Sequence, residues 1–162
     1  GGFSFPPGVD YNLCSDAPAS IETLRAEIPT RLVTGDVTLQ TWMGKADLKR
    51  IESCNRPLQR ALGRAIRLWT PTQNTIFSGM GASMDADNVA FLHDPLALAC
   101  VADESFCTFE ELNIEACMQD GGFRSLEQPM ATQNSREMRV ATAVDREVFR
   151  EHFVERIAQL GA

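Results

Sequence analysis

The chain has 162 residues, of which 44% are hydrophobic and 23% are charged, which is the composition of one ordinary globular domain. Its net charge of -7 argues against non-specific binding to nucleic acid, which needs a basic surface. No apolar segment is long enough to span a membrane, and the start, GGFSFPPGVDYN, lacks the basic and apolar regions of a signal peptide.

Five cysteines occur without a C-x-x-C pair, and only two histidines accompany them. This usage fits a reducing cytosol better than an oxidising compartment, and it argues against a structural zinc site. Cys100 lies in an apolar run and is expected in the core. We therefore expect a cytoplasmic protein with no nucleic-acid or membrane partner.

The first third of the chain predicts two helices around a short strand. After a loop up to Gly8, Ser15-Asp16 offers a cap for a helix that runs to about Glu27, with an inward stripe that includes Ile28. A β-branched segment then predicts a buried strand at residues 31–33. Another helix is expected over residues 45–53.

The middle of the chain predicts a longer helix that begins after Pro57 and ends at Thr70-Pro71, because proline disfavours helical backbone in the residue before it. The apolar residues at helical spacing are expected to face inward: Leu58, Ala61, Leu62, Ala65, Ile66 and Trp69. Residues 72–88 are rich in Gly, Ser, Asn and Asp, and we interpret them as a long surface loop or lid.

Strand patterns dominate the second half. Residues 106–118 predict two short strands, and residues 137–144 predict another that leads, through Asp145 as a cap, into a final helix. Because helices alternate with strands, the predicted fold class is α/β, with helices packed on a mostly parallel sheet. The chain opens with a loop and a helix and has few convincing central strands, so we expect part of a larger fold.

One segment, FLHDPLALAC at residues 91–100, places His93 and Asp94 beside an apolar run. In one interpretation Asp94 is the N-cap of a helix and Pro95 its first residue. In the other, the two side chains form the floor of a pocket, where they serve as an acid and a metal ligand.

Four segments occur in a recognisable order: GG followed by DYNLCSDAPAS, then IPTRLVTGDVT, then FLHDPLALACVADESFCT, and finally MRVATAVDREVFREHFVERI. From about residue 10 to residue 159, this order resembles the C-terminal half of the inosine-uridine-preferring nucleoside hydrolases. The resemblance implies a partial fold whose N-terminal half is missing. The most specific match is to the family's H-D-P-x-A helix start.

The resemblance implies a reaction. Enzymes of this family cleave the N-glycosidic bond of ribonucleosides with water and release ribose and a free base. A calcium ion orients and acidifies the attacking water, an aspartate takes its proton, and a histidine protonates the departing base.

The resemblance also implies roles for individual residues. His93 matches the histidine that protonates the leaving base, and Asp94 matches a calcium-ligating aspartate. Asn12 matches an asparagine that binds ribose, and Asp10 stands where the family has a glutamate with the same task.

Other parts of the family's site have no counterpart here. The N-terminal aspartate cluster, which supplies the base and most calcium ligands, and a calcium-ligating threonine are both absent. Calcium takes about six to eight oxygens, so Asp94 alone cannot hold it. We therefore expect an inactive chain whose partner is a complementary N-terminal chain or another copy. The alternatives are a catalytically dead binding or assembly module, and an unrelated α/β module with a chance H-D-P.

Overall fold

The computed structural model describes residues 10–79 and 84–161. This part of the chain divides into two compact units: residues 38–106 with 144–161, and residues 10–37 with 107–143. The loop predicted up to Gly8 lies outside the described residues. Among the helices of the described ranges, none combines the length and the apolar character that a bilayer span requires.

The elements follow one another along the described chain. The helices are α1 (Tyr11–Ser15), α2 (Ala17–Arg25), α3 (Gly35–Thr38), α4 (Lys45–Ser53), α5 (Pro57–Gly79), α6 (His93–Ala102) and α7 (Arg146–Gln159), with a 3-10 turn at Glu104–Phe106. The strands are β1 (Arg31–Leu32), β2 (Trp42–Gly44), β3 (Asn88–Phe91), β4 (Cys107–Gln119), β5 (Gly122–Gln128) and β6 (Ser135–Val144).

The strands of the described residues form a sheet in the order β1-β6-β4-β5 and a separate β2-β3 pair. The α/β fold class is confirmed, and the strand directions are mixed: β1 pairs with β6 in parallel, while β4-β5 and β2-β3 are antiparallel. A tight hairpin sets the direction of β5, because Asp120 (φ 52°) and Gly121 (φ 79°) both adopt the left-handed conformation that a two-residue turn requires. The two short strands predicted over residues 106–118 are one continuous strand, β4.

The unit of residues 10–37 and 107–143 has its core on one face of the larger sheet. Its buried members are Leu24, Ile114, Ala116, Phe123, Met138 and Val140. Helix α2 contributes Leu24 and begins at the predicted cap, where Asp16 accepts a hydrogen bond from the Ala19 amide at 3.1 Å. Ile28 lies beyond the helix and is 60% exposed, so its predicted inward position is wrong.

In the unit of residues 38–106 and 144–161, helices pack around the β2-β3 pair. Helix α4 has the predicted bounds, and its residues Leu48 and Ile51 are buried. Cys100 is 1% exposed, as predicted for a core residue. Asp145 caps α7 as expected, because its carboxylate accepts a hydrogen bond from the Val148 amide at 3.1 Å.

The prediction of a long loop at residues 72–88 is wrong over most of its described length. Helix α5 continues through Pro71 to Gly79, residues 84–87 form the connection, and Asn88 begins β3; residues 80–83 lie outside the described part. A proline inside a helix costs about 3 kcal/mol. Tertiary contacts offset that cost, since Phe77, six residues beyond Pro71, is buried.

The inward face of α5 also differs from the prediction. Leu58 is 52% exposed and Trp69 is 47% exposed. Ile66 is buried as predicted, and the other buried residues of the helix are Gln59, Gly63, Gln73 and Phe77. Buried glutamines are tolerated because they satisfy backbone groups, and Gln59 Nε2 donates to the carbonyls of Ile157 and Leu160 at 2.7 and 2.9 Å.

We predict that Asp47→Ala destabilises the unit that contains α4 and α7 by about 3 kcal/mol, because it leaves the Arg150 guanidinium without its buried partner. Asp47 is 6% exposed, and its carboxylate accepts hydrogen bonds from Arg150 Nη1 at 2.9 and 3.1 Å and from the Gly44 amide at 2.9 Å. Tryptophan fluorescence during urea unfolding measures the loss.

The matched control is Glu151→Ala, which removes an exposed ion pair with Arg50 and is expected to cost less than about 1 kcal/mol. Both tryptophans, Trp42 and Trp69, belong to this unit, so their fluorescence reports on it. An equal loss in the two variants would contradict the prediction.

Candidate functional site

The first residue of helix α6 is His93. The N-cap position is held by Leu92, and Asp94 and Pro95 are the second and third helical residues. The prediction that Asp94 is the N-cap is therefore wrong by two positions. Its exposed carboxylate lies in the first turn, where the helix dipole favours negative charge.

The side chain of His93 is half-buried and is held at one ring nitrogen. Nδ1 shares a hydrogen bond of 2.7 Å with Oγ1 of Thr38, the last residue of α3. Thr38 is itself buried, with 4% of its surface exposed. The imidazole therefore has one nitrogen fixed by an interior hydroxyl.

A turn at residues 38–41 holds the backbone next to His93 as well. Thr41 donates to the Thr38 carbonyl through both its amide, at 3.1 Å, and its hydroxyl, at 2.9 Å. The Thr41 carbonyl in turn accepts a hydrogen bond from the Leu92 amide at 3.0 Å. One turn thus restrains the imidazole and the residue that precedes it.

One face of the histidine ring packs against aromatic side chains. The rings of Phe91 and His93 have centroids 5.2 Å apart and planes inclined by 31°. Phe77 packs on Phe91 with a centroid distance of 4.8 Å. The contact with Phe91 restricts rotation of the imidazole, and Phe77 supports Phe91 in turn.

Strand β3, which leads to His93, is fixed by a buried glutamine of α5. Gln73 is 1% exposed; its Oε1 accepts a hydrogen bond from the Phe91 amide at 2.9 Å, and its Nε2 donates to Asn88 Oδ1 at 3.3 Å. Gln73 belongs to residues 72–88, which the sequence suggested as a loop or lid. It instead holds the strand that leads to His93.

Asp10 and Asn12 lie together at the start of α1, in the unit of residues 10–37 and 107–143. Asp10 is the N-cap, and its Oδ1 accepts hydrogen bonds from the amides of Asn12 at 2.9 Å and Leu13 at 3.3 Å. Asn12 is exposed. Asp10 therefore stabilises the start of α1. That Asp10 and Asn12 form one site with His93 and Asp94 stays a prediction.

The described residues do not fit a complete calcium site. Within residues 10–79 and 84–161, no group of three or more His, Cys, Asp or Glu side chains is arranged to hold a metal ion. Calcium takes about six to eight oxygen ligands, so the Asp94 carboxylate would need ligands from elsewhere.

A model of the inosine-uridine preferring nucleoside hydrolase family matches residues 2–151, which is most of the chain. The chain belongs to this family. No curated protein matches it in sequence.

Two solved structures of nucleoside hydrolases share the fold. The purine-preferring ribonucleoside hydrolase from Gardnerella vaginalis aligns with 87% of this chain and 43% of its own, at 24% identity and a TM-score of 0.70. The plant nucleoside hydrolase PpNRh1 aligns with 94% of this chain and 48% of its own, at 17% identity and a TM-score of 0.79. The chain thus spans less than half the length of each.

Several residues around His93 were not identified from the sequence. Thr38 ends the segment GDVT, whose resemblance to the family's D-V-T turn was the one available signal. Gln73 and Phe77 lie in the segment whose composition predicted a loop, although their separation of four residues is typical of one helix face. Their roles depend on contacts with β3, which no local pattern encodes.

We predict that Gln73→Ala accelerates hydrogen exchange of the Phe91 amide, because that N–H loses its acceptor, and destabilises this unit by about 1–3 kcal/mol. Amide exchange followed by NMR gives both effects. Asn74→Ala, at the neighbouring exposed position, serves as the control and should leave Phe91 unchanged. Unaltered protection of Phe91 in the Gln73 variant would rule out this role.

Proposed function

We propose that the chain forms part of a nucleoside N-ribohydrolase, in which His93 protonates the departing base. The family membership and the shared fold support the reaction class. The observation that carries the assignment is the half-buried imidazole of His93, anchored at Nδ1 by Thr38 and packed on Phe91. The chain would correspond to the C-terminal portion of the family's domain.

Protonation matters because the base leaves with the electron pair of the glycosidic bond while positive charge develops on the ribose. An imidazolium donates a proton near neutral pH, and with Nδ1 held by Thr38 the transfer would take place from Nε2. In this proposal the amide of Asn12 and the carboxylate of Asp10 bind ribose hydroxyls. Asp10 would do so with the oxygen that does not cap α1, since Oδ1 already accepts two backbone amides.

The remaining chemistry requires residues that the described part does not provide. Calcium, when bound in the family's site, acidifies the attacking water, and Asp94 would be one carboxylate among its ligands. Because no cluster of three candidate ligands occurs within the described ranges, we propose that the chain is inactive alone. A complementary polypeptide would supply the other ligands and the base.

An exposed apolar stripe along α5 supports such a partner. Its residues lie three, four or seven positions apart, and together with Leu68 they present a surface suited to another helix: Leu58, the half-buried Leu62, Ala65, Trp69 and Ile76. Leu68 is 69% exposed and Ile76 is 46% exposed. Since each matched hydrolase is more than twice as long as its aligned part, we propose that the rest of the family's domain covers this stripe.

The second candidate function is a catalytically dead module that binds a nucleoside or ribose, or that serves in assembly. The missing three-ligand cluster in the described residues favours it. Calorimetric titration of the chain with ribose and with nucleosides distinguishes a ligand-binding module from an assembly module. An absence of binding heat would exclude the ligand-binding module.

We predict that His93→Ala in the assembled enzyme lowers kcat by about 10²–10⁴, with the greatest loss for purine nucleosides, whose leaving groups depend on protonation. Release of the free base, assayed with purine and pyrimidine nucleosides, measures the effect. His152→Ala is the matched control, because this exposed histidine lies on α7 against Phe106. Equal losses for all substrates would argue against an acid role.

We predict that Leu68→Glu weakens association with the complementary polypeptide, because it places a charge in the apolar stripe. Asn74→Glu adds the same charge at an exposed polar position of α5 and should have little effect. Sedimentation velocity of the mixture, with and without each variant, measures association. A wild-type chain that sediments as a dimer on its own and dissociates with Leu68→Glu would instead identify a second copy as the partner.

A further inference from the structure

Helix α5 contains no acidic residue along its 23 positions. Its charged side chains are Arg60, Arg64 and Arg67, which we call the basic row. They recur at steps of four and three residues, so they lie on one side of the helix, and all three are exposed. Acidic and basic residues four positions apart stabilise a solvated helix surface, and α5 has no such pair.

The basic character extends to the neighbouring helix α4. Residues 45–67 contain seven of the chain's 15 cationic residues and two of its 22 acidic residues. This segment therefore has a net charge of +5 in a chain whose net charge is -7. Both of its acidic side chains are already paired, Asp47 with Arg150 and Glu52 with Arg67. Positive charge is thus concentrated on the surface of this segment.

Two arginines of the basic row have no acidic partner among the residues that the structure describes. Arg67 Nε donates to Glu52 Oε1 at 2.7 Å, whereas Arg60 Nη1 donates to the Asn55 carbonyl at 2.6 Å and to Asn55 Oδ1 at 3.2 Å. Within the same ranges, no carboxylate lies at ion-pair distance from Arg60 or Arg64. Because these like charges stand four positions apart, they repel each other, and carboxylates from another surface would relieve that repulsion.

The basic row borders the apolar stripe of α5. Leu68 lies four residues after Arg64, so the two side chains are neighbours on the helix surface. Leu68 is 69% exposed and Trp69 is 47% exposed. A protein segment that packs on the stripe therefore also meets the guanidinium groups of the row.

We propose that the segment covering α5 is an acidic amphipathic helix, whose apolar side chains pack on the stripe and whose carboxylates pair with Arg60 and Arg64. The inference rests on the proposed function for the identity of the partner, which is the complementary polypeptide. Four helical residues rise by about 6 Å, so carboxylates four positions apart on the partner match the spacing of the two arginines. A guanidinium can bind a carboxylate through two parallel hydrogen bonds, which fixes the register.

Two other partners fit the charges less well. The residues outside 45–67 carry a net charge of -12, so an anionic lipid surface would repel most of the chain. A symmetric contact between the α5 helices of two copies would bring two basic rows together, since α5 has no acidic residue to offer. An acidic helix from the complementary polypeptide avoids both conflicts.

The test uses three synthetic helical peptides that share one stripe of leucines. They differ only at two positions four residues apart, which carry glutamate, glutamine or lysine. Fluorescence anisotropy of the labelled peptides measures their affinity for the chain. We expect the glutamate peptide to bind about fivefold more tightly than the glutamine peptide, and the lysine peptide to bind most weakly. The advantage of glutamate should shrink as the salt concentration rises.

Arg64→Glu is the decisive variant, because it reverses one charge of the row at an exposed side chain that makes no ion pair with the described residues. It should abolish the preference for glutamate and make the lysine peptide the tighter ligand. Arg64→Lys keeps the charge and should keep the original ranking. Arg136→Glu, on β6, changes the net charge equally and should also leave the ranking unchanged. Circular dichroism checks that each variant is folded.

Equal affinities of the three peptides, an unchanged ranking in Arg64→Glu, or no binding of any peptide would overturn the proposal. Arg64-dependent binding to phosphatidylserine vesicles that the glutamate peptide does not displace would identify a lipid surface instead. A wild-type chain that sediments as a dimer and is dissociated by Arg64→Glu would identify a second copy.

The peptide measurements need no enzymatic activity, so they separate this inference from the proposed function. If the peptides rank as expected and the assembled protein releases no base from nucleosides, the proposed function fails while the acidic partner holds. If assembly does produce base release and Arg64→Glu leaves the affinity for the complementary polypeptide unchanged, the acidic partner fails.

Discussion

Backbone hydrogen bonding along β3 determines where His93 lies. The strand pairs with β2, and the ladder is extended by one bond in which the Leu92 amide donates to the Thr41 carbonyl. On the α5 side, the Phe91 amide donates to Gln73. Because both restraints act on the two residues before His93, the start of α6 cannot move without breaking interior hydrogen bonds, each of which leaves a costly unpaired group. The Thr38 hydroxyl then needs only to orient the ring.

Helix α5 carries out two tasks with two adjacent faces. Its buried face contains Gln59 and Gln73, whose amides satisfy backbone groups of α7 and β3. Its more apolar face, with Leu58, Leu68 and Trp69, remains exposed in this chain. A surface helix usually buries its apolar face, so this arrangement is the observation on which the proposed covering of the stripe rests. The polar contacts fix the buried face of the helix.

The described residues provide a candidate proton donor but no complete metal site. They include an anchored imidazole and an exposed carboxylate at one helix start, and no cluster that could hold a metal ion. In the proposed function the imidazole protonates the leaving base, and the residues that activate water belong to a complementary polypeptide. The chain belongs to the family and spans less than half of each matched structure.

Local rules in the sequence were sufficient for the elements that depend on neighbours along the chain. Of the Ser15-Asp16 pair predicted as a cap, Asp16 takes the N-cap position, and the Asp145 cap and the bounds of α4 were confirmed. The resemblance carried mainly by the H-D-P segment was confirmed by the family match, while the catalytic role of His93 stays a prediction. Tertiary structure alone decided that α5 continues past Pro71, which of its faces is buried, and that Thr38 meets the imidazole. These features depend on hydrogen bonds and packing between residues 15 to 101 positions apart, which outweigh helix-breaking propensity and apolar periodicity but leave no periodic trace in the sequence.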